Sequence, residues 1–122
     1  MEGNKILGAS LQHKVLKLVP LRIQWAAGVP SVAWNPENEA IALTDNGAGD
    51  VTLTFSEASL IPLKVLGYCI EVADANTLSL EMNLDGAATS TAAKLVFNSG
   101  ADGATETDPV AVDLLIGKWV VA

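Results

Sequence analysis

Seven carboxylates, Asp45, Asp50, Asp74, Asp85, Asp102, Glu106 and Asp108, fall in or beside segments rich in glycine, asparagine and alanine. Clustered loop carboxylates are the raw material of a calcium site, which takes six to eight oxygen ligands. The run Asp45-Asn46-Gly47-Ala48-Gly49-Asp50 departs from the EF-hand order, because glycines stand at its third and fifth positions, where oxygen ligands belong. Its composition predicts a turn in which Asp and Asn side chains accept hydrogen bonds from nearby backbone N–H groups. Gly47 and Gly49 do not read as a phosphate cradle either, since no Lys-Ser/Thr follows them and no helical pattern opens there. The chain has one cysteine, Cys69, and one histidine, His13. A lone cysteine makes no internal disulfide and a lone histidine no imidazole cluster. Cys69, within Leu66-Gly67-Tyr68-Cys69-Ile70, reads as a small hydrophobe in an apolar strand, and His13 as a half-exposed residue where the first strand begins. The expectation is a protein with no catalytic residue, no metal and no cofactor.

Three tryptophans are the other candidates, since a flat indole face stacks on the apolar face of a sugar ring. Trp25 is in register with Leu21 and Ile23, and Trp119 lies in a strongly apolar segment between Ile116 and Val121. Both are expected in a core or a subunit interface. Trp34, beside Asn35-Pro36, is the one expected at the surface.

The elements that position these residues are read from periodicity. Leu21, Ile23 and Trp25 alternate with Arg22 and Gln24; Val51, Leu53 and Phe55 with Thr52 and Thr54; Leu78, Leu80, Met82 and Leu84 with Ser79, Glu81 and Asn83. A period of two is the signature of strands with one face buried. Segments near 13–19, 40–44, 63–73, 94–98 and 110–121 are apolar on both faces, as expected for strands covered by a second sheet or by a neighbouring subunit. Turn-forming residues at 45–50, 85–86 and 98–103 separate these runs, and Pro20, Pro30, Pro36, Pro62 and Pro109 sit at their edges. The pattern predicts an all-β fold, a compact antiparallel β-sandwich or barrel of seven to eight short strands over residues 13–122. Residues 1–12, with Gly3 and Gly8, are expected to be a mobile N-terminal arm.

Charge is split along the chain. Residues 1–30 carry Lys5, Lys14, Lys17 and Arg22 against Glu2, a net of +3, whereas the remainder carries three lysines against thirteen carboxylates, a net of −10. An acidic body repels phosphate backbones, so nucleic acid is not an expected partner. No run of eighteen apolar residues suits a membrane span, and the opening Met-Glu-Gly-Asn-Lys lacks the basic and apolar regions of a signal peptide. The expectation is a chain made in a cytoplasm and not bound to membrane.

The order of features resembles the small virion proteins of tailed bacteriophages, in particular those that decorate or cement the head shell. The resemblance rests on the early strand His13 to Trp25, the strand Asp50-Val51-Thr52-Leu53-Thr54-Phe55, the strand Pro62 to Val72, the strand Leu78 to Leu84 before a Gly/Ala/Thr-rich turn, and Thr107-Asp108-Pro109 before a final hydrophobic strand. It implies a non-enzymatic protein on the outer head surface of a virion, with the major capsid protein as partner, that stabilises contacts between capsomers. A tail, fibre or baseplate component and a sugar-binding or adhesive β module are the alternatives. Half of the residues are hydrophobic, more than a chain of this length ordinarily hides, and this points to a homo-oligomer, with a trimer favoured. The expected capsid contacts are Lys5, Lys14, Lys17 and Trp34, with Val15, Leu16 and Leu18 as anchors. The expected oligomer interface is Leu66, Tyr68, Ile70, Ile116 and Trp119.

Overall fold

A computed structural model describes residues 14–72, 78–83, 91–99 and 106–121, with the backbone alone at 78–83 and 99. The expected arm of residues 1–12, with Lys5, and His13 lie outside the described residues. Eight strands follow in chain order: β1 Lys14–Ala26, β2 Val29–Trp34, β3 Ile41–Asp45, β4 Asp50–Phe55, β5 Lys64–Glu71, β6 Leu78–Asn83, β7 Ala92–Ser99 and β8 Ala111–Val121. They form two four-stranded antiparallel sheets. Sheet A has the order β2-β1-β8-β5 and sheet B the order β3-β4-β7-β6. The fold is the all-β sandwich that the alternating pattern predicts, and the described residues contain no helix.

The two early runs, 13–19 and 21–25, are one strand. Pro20 lies inside it rather than at its edge. β1 pairs with β8 from Lys14↔Val121 to Gln24↔Ala111, but with β2 only from Arg22↔Trp34 onward. At Pro20 the chain therefore has a ladder on one side only, and a residue without an N–H is tolerated there. β2 has no counterpart in the sequence reading, because Pro30 argues against a strand. It is an edge strand, the place where proline is accepted. A two-residue turn joins it to β1, with Ala27 (φ 51°) and Gly28 (φ 79°) both left-handed, as the favoured hairpin turn requires.

The core is built from the alternating positions. Val19, Leu21 and Ile23 of β1 and Val112, Leu114 and Ile116 of β8 meet Val51, Leu53 and Phe55 of β4 and Ala93, Leu95 and Phe97 of β7. Trp25 continues the β1 series and meets Phe97 edge to face, centroids 5.3 Å apart at 81°, which is the core role expected of it. Ile116 belongs to this core and is fully buried, so it forms no part of an outer interface. Ile70 packs half-buried against the same cluster. Their segments are apolar on both faces, which suggests a subunit contact, but the second sheet covers the face that both residues occupy.

The hairpin between β3 and β4 uses its side chains as the turn reading expects. Asp45 Oδ1 accepts from the Gly47 N–H at 3.0 Å, Asn46 Nδ2 donates to Thr52 Oγ1 at 2.8 Å, and Asp50 pairs with Lys94 at 3.2 Å. Gly49, left-handed at φ 66°, donates its N–H to Asp108 Oδ1 at 2.6 Å. A Cβ at Gly49 would stand 2.5 Å from the backbone N of Thr107 and 2.7 Å from the carbonyl of Phe97. Only glycine fits this close approach of two backbones.

Candidate binding face and the charge cluster beside it

Strand parity assigns each residue of sheet A to the core or to the outer face. On β1 the outer series is Lys14, Leu16, Leu18, Pro20, Arg22 and Gln24; on β8 it is Asp113, Leu115, Gly117 and Trp119. The register sets Leu16 beside Trp119, Leu18 beside Gly117, Pro20 beside Leu115 and Arg22 beside Asp113. Half of this face is therefore apolar and half polar. β5 adds to the apolar half through a bulge between Val65 and Gly67. A Cβ placed on Gly117 would meet Leu66 Cδ1 at 3.1 Å and Leu16 Cδ1 at 3.3 Å. The missing side chain of Gly117 thus lets leucines from the two flanking strands close over the middle one. They remain open to solvent from above: Leu16 is 43%, Leu18 48% and Leu66 50% exposed.

The extra residue in β5 also decides where Cys69 goes. After the bulge Gly67 pairs with Leu115, Cys69 with Asp113 and Ile70 with Val112, so the thiol lies on the outer side and is exposed. The reading of Cys69 as a small hydrophobe in an apolar strand does not anticipate this exposure. Trp34, at the end of β2, is 53% exposed as expected, and Tyr68 on the opposite edge strand is 52% exposed. Between them runs a shallow groove of about 270 Å³ with Pro20, Gly67 and Leu115 among its walls. Trp119 is half-buried on the same face, its backbone held by Ser59 and Leu60 through Trp119 N to Ser59 Oγ (2.9 Å) and Leu60 N to Trp119 O (2.8 Å).

The polar half is tied together by Arg22, which donates to Asp113 Oδ2 at 2.9 Å and to Glu71 Oε2 at 2.5 Å. All three side chains keep contact with water.

On the inner side of the same strand pair, where the apolar core ends, Lys17 and Lys118 are register partners. Lys118 continues the inward series Val112, Leu114, Ile116 and is fully buried. Its ammonium lies 3.2 Å from Glu39 Oε2, 3.9 Å from Glu57 Oε2 and 5.3 Å from the centroid of the Phe55 ring. Glu39 Oε1 lies 2.7 Å from Lys17 Nζ. Glu39 stands in the crossover from β2 to β3, and Glu57 in the one from β4 to β5, so both loops that pass between the sheets at this end bring a carboxylate to the buried lysine. Asn35 shapes the first of these loops. Its Nδ2 donates to the Glu39 carbonyl at 2.8 Å and its Oδ1 accepts from the Glu39 N–H at 3.1 Å, around Asn38 in the left-handed region at φ 51°.

Burial pushes the Glu39 carboxyl up, but hydrogen bonds from Lys17 and then Lys118, together with their charge, outweigh it and hold the group below the ordinary carboxylate range. The hydrogen bond to Glu39 raises Lys17. Sequence reasoning missed this cluster, although Lys118 stands two residues past Ile116 at a core-facing parity, and a lysine there calls for a buried carboxylate. The finding also changes the expectation for Lys17, whose ammonium is committed to Glu39 rather than presented to a partner. Lys14, at the start of β1, is exposed on the outer side. Compared with models of protein families, with curated proteins and with solved structures, the chain has no match.

Proposed function

We propose that this chain is a non-enzymatic structural protein of a tailed-bacteriophage virion, a decoration or cement protein on the outer head shell that holds neighbouring capsomers of the major capsid protein together. The observation that carries the reading is the outer face of sheet A, where Leu16, Leu18, Leu66 and Trp34 stand in water on a strand-built surface. Exposed apolar residues grouped in this way mark a surface made for another protein. The resemblance of the order of sequence features to small virion proteins of tailed bacteriophages supplies the setting. In that setting the task is mechanical: packaged DNA presses outward, and a protein attached across a capsomer boundary resists separation through contacts that the expanded shell presents.

The test is the copy number of the chain in purified particles, measured by quantitative mass spectrometry against the major capsid protein. Hundreds of copies per particle support head decoration. A handful indicates a tail, fibre or baseplate part, and none removes the virion reading. The groove beside Trp34 favours one other reading, an adhesive β module in which this indole stacks on a glycan. It requires glycan-induced quenching of tryptophan fluorescence that is lost in Trp34→Ala.

A further inference from the structure

We propose that Asn46 is a site of self-modification, where the backbone nitrogen of Gly47 attacks the asparagine side chain and converts it, through a cyclic imide, to aspartate or isoaspartate. Two observations carry this, and neither depends on the virion setting. The first is access. Asn46 and Gly47 are both exposed at the tip of the β3–β4 hairpin, and a Cβ built on Gly47 would meet nothing within 4 Å. Ring closure swings the nitrogen of the following residue onto the side-chain carbonyl carbon, a motion that a bulky next residue or a packed neighbour resists. Gly47 presents neither obstacle, and at φ 122° it stands where other residues are rarely found.

The other asparagines with described side chains lack this combination. Asn35 precedes Pro36, which has no N–H to give up. Asn38 precedes Glu39, whose N–H is held by Asn35 Oδ1 at 3.1 Å, and Asn98 is only 5% exposed.

The second observation is a base. Asp45 Oδ1 accepts a hydrogen bond from the Gly47 N–H at 3.0 Å. A carboxylate therefore already rests on the proton that must leave before the nitrogen can attack, within the reach a general base needs. The reaction is a substitution followed by a hydrolysis, with no oxidation or reduction. The Gly47 proton passes to Asp45, the nitrogen bonds to Asn46 Cγ, and the Cγ–Nδ2 bond breaks as the proton is handed on, so that Nδ2 departs as ammonia. Water then opens the imide. Attack at the side-chain carbonyl restores the ordinary backbone and leaves aspartate; attack at the main-chain carbonyl leaves the chain running through Cγ, as isoaspartate.

Either product changes the hairpin. Asn46 Nδ2 donates to Thr52 Oγ1 at 2.8 Å and to Asp50 Oδ1 at 3.2 Å, and Asp50 in turn meets Lys94 at 3.2 Å. Conversion puts a carboxylate where that donor stood, facing Asp50 with Lys94 to answer both, on a chain already at −7. The core positions Val51, Leu53 and Phe55 keep their packing. The modified protein is a folded, more acidic form with a looser hairpin tip, and its share grows with the age of the molecule without any enzyme.

Peptide-mapping mass spectrometry of the full chain, incubated folded and incubated in urea, tests this. The expected result is amide-to-acid conversion at residue 46 of the folded protein, with isoaspartate detected by isoaspartyl methyltransferase labelling, and none at residues 35, 38 or 98. Asp45→Asn keeps an acceptor for the Gly47 N–H but removes the base. It should slow conversion about tenfold or more in the folded chain, and leave the rate in urea unchanged, because there Asp45 is no longer held on that N–H. Far-UV circular dichroism confirms the fold of the variant; if it fails to fold, Asp45→Ser is read in its place. The converted fraction, separated by anion exchange, should melt below the unconverted one. An amide that survives in the folded chain over the time that converts it in urea, or equal folded rates for the parent and the Asp45 variant, overturns the proposal.

Discussion

Two charge clusters hang on the same pair of strands and differ in almost every respect. At Lys17 and Lys118 one carboxylate, Glu39, sits between two lysines on the inner side; at Arg22 and Asp113, one arginine sits between two carboxylates on the outer side. The first cluster includes a side chain with no solvent exposure, and the second is hydrated throughout. Burial decides what such clusters are worth. In water the Coulomb gain barely exceeds the entropy of holding long side chains still, whereas a charge removed from water must keep its partner or destabilise the fold strongly. A partner for the buried Lys118 is therefore a requirement of the sandwich, whereas the outer cluster is a local preference that the polar half of the face can lose.

The largest expected effect separates the two directly. Glu39→Gln leaves the Lys118 ammonium buried beside an amide, with only the solvent-facing Glu57 at 3.9 Å to answer it, and should cost about 3–5 kcal/mol in urea unfolding. Lys118→Met removes the buried charge and keeps the volume, while Glu39 retains Lys17, so it should cost far less than Glu39→Gln and can come out neutral. A Glu39→Gln variant as stable as the parent would break the comparison.

A smaller effect appears in acid. Because the folded state holds the Glu39 carboxyl below its ordinary range, the unfolded chain binds that proton more readily, and stability rises with pH between the two pKa values. The contribution of this group is complete above the ordinary glutamate value of about 4.3 and is lost as pH falls through the lower folded value. The slope of unfolding free energy against pH over that acid range should be steeper in the parent than in Glu39→Gln, as read by urea titrations at stepped pH. Equal slopes would show that Glu39 does not set the acid limit.

The smallest effect belongs to the outer cluster. Arg22→Ala should leave the urea midpoint within error of the parent at ordinary salt, as exposed ion pairs generally do. A large loss would mean that this rim is not in water.

How much of this was open to a reader of residues follows from the same parity argument. Alternation at Leu21-Ile23-Trp25 and at Val51-Leu53-Phe55 specifies strands and their buried faces without reference to any partner, and these positions are core residues. The outer leucines are legible as apolar residues on the second face of a strand, but the bulge at Leu66 is not, so the face that Cys69 takes is not legible either. A bulge depends on what the neighbouring strand allows, here a glycine at 117 that makes room for Leu66. The Glu39 cluster needed the topology. Lys17 and Lys118 are partners only because the first and last strands pair, and Glu39 reaches them only because its loop crosses between sheets, neither of which has a local signature.

That pairing has a consequence for how the molecule comes into being. β1 and β8 lie side by side at the centre of sheet A, yet Arg22 and Asp113 are separated by 91 positions. A ribosome releases β1 long before it has made β8, and until then the backbone of β1 has only the short β2 hairpin to pair with in sheet A. Sheet A closes after translation of the last strand, in a step dominated by distant contacts and hence slow, on the order of milliseconds to seconds. During that interval a central strand lacks its ladder partner, which leaves it open to aggregation or to capture by a chaperone. Yield in a cell is then governed by how long β1 waits for β8 as well as by the stability of the finished sandwich.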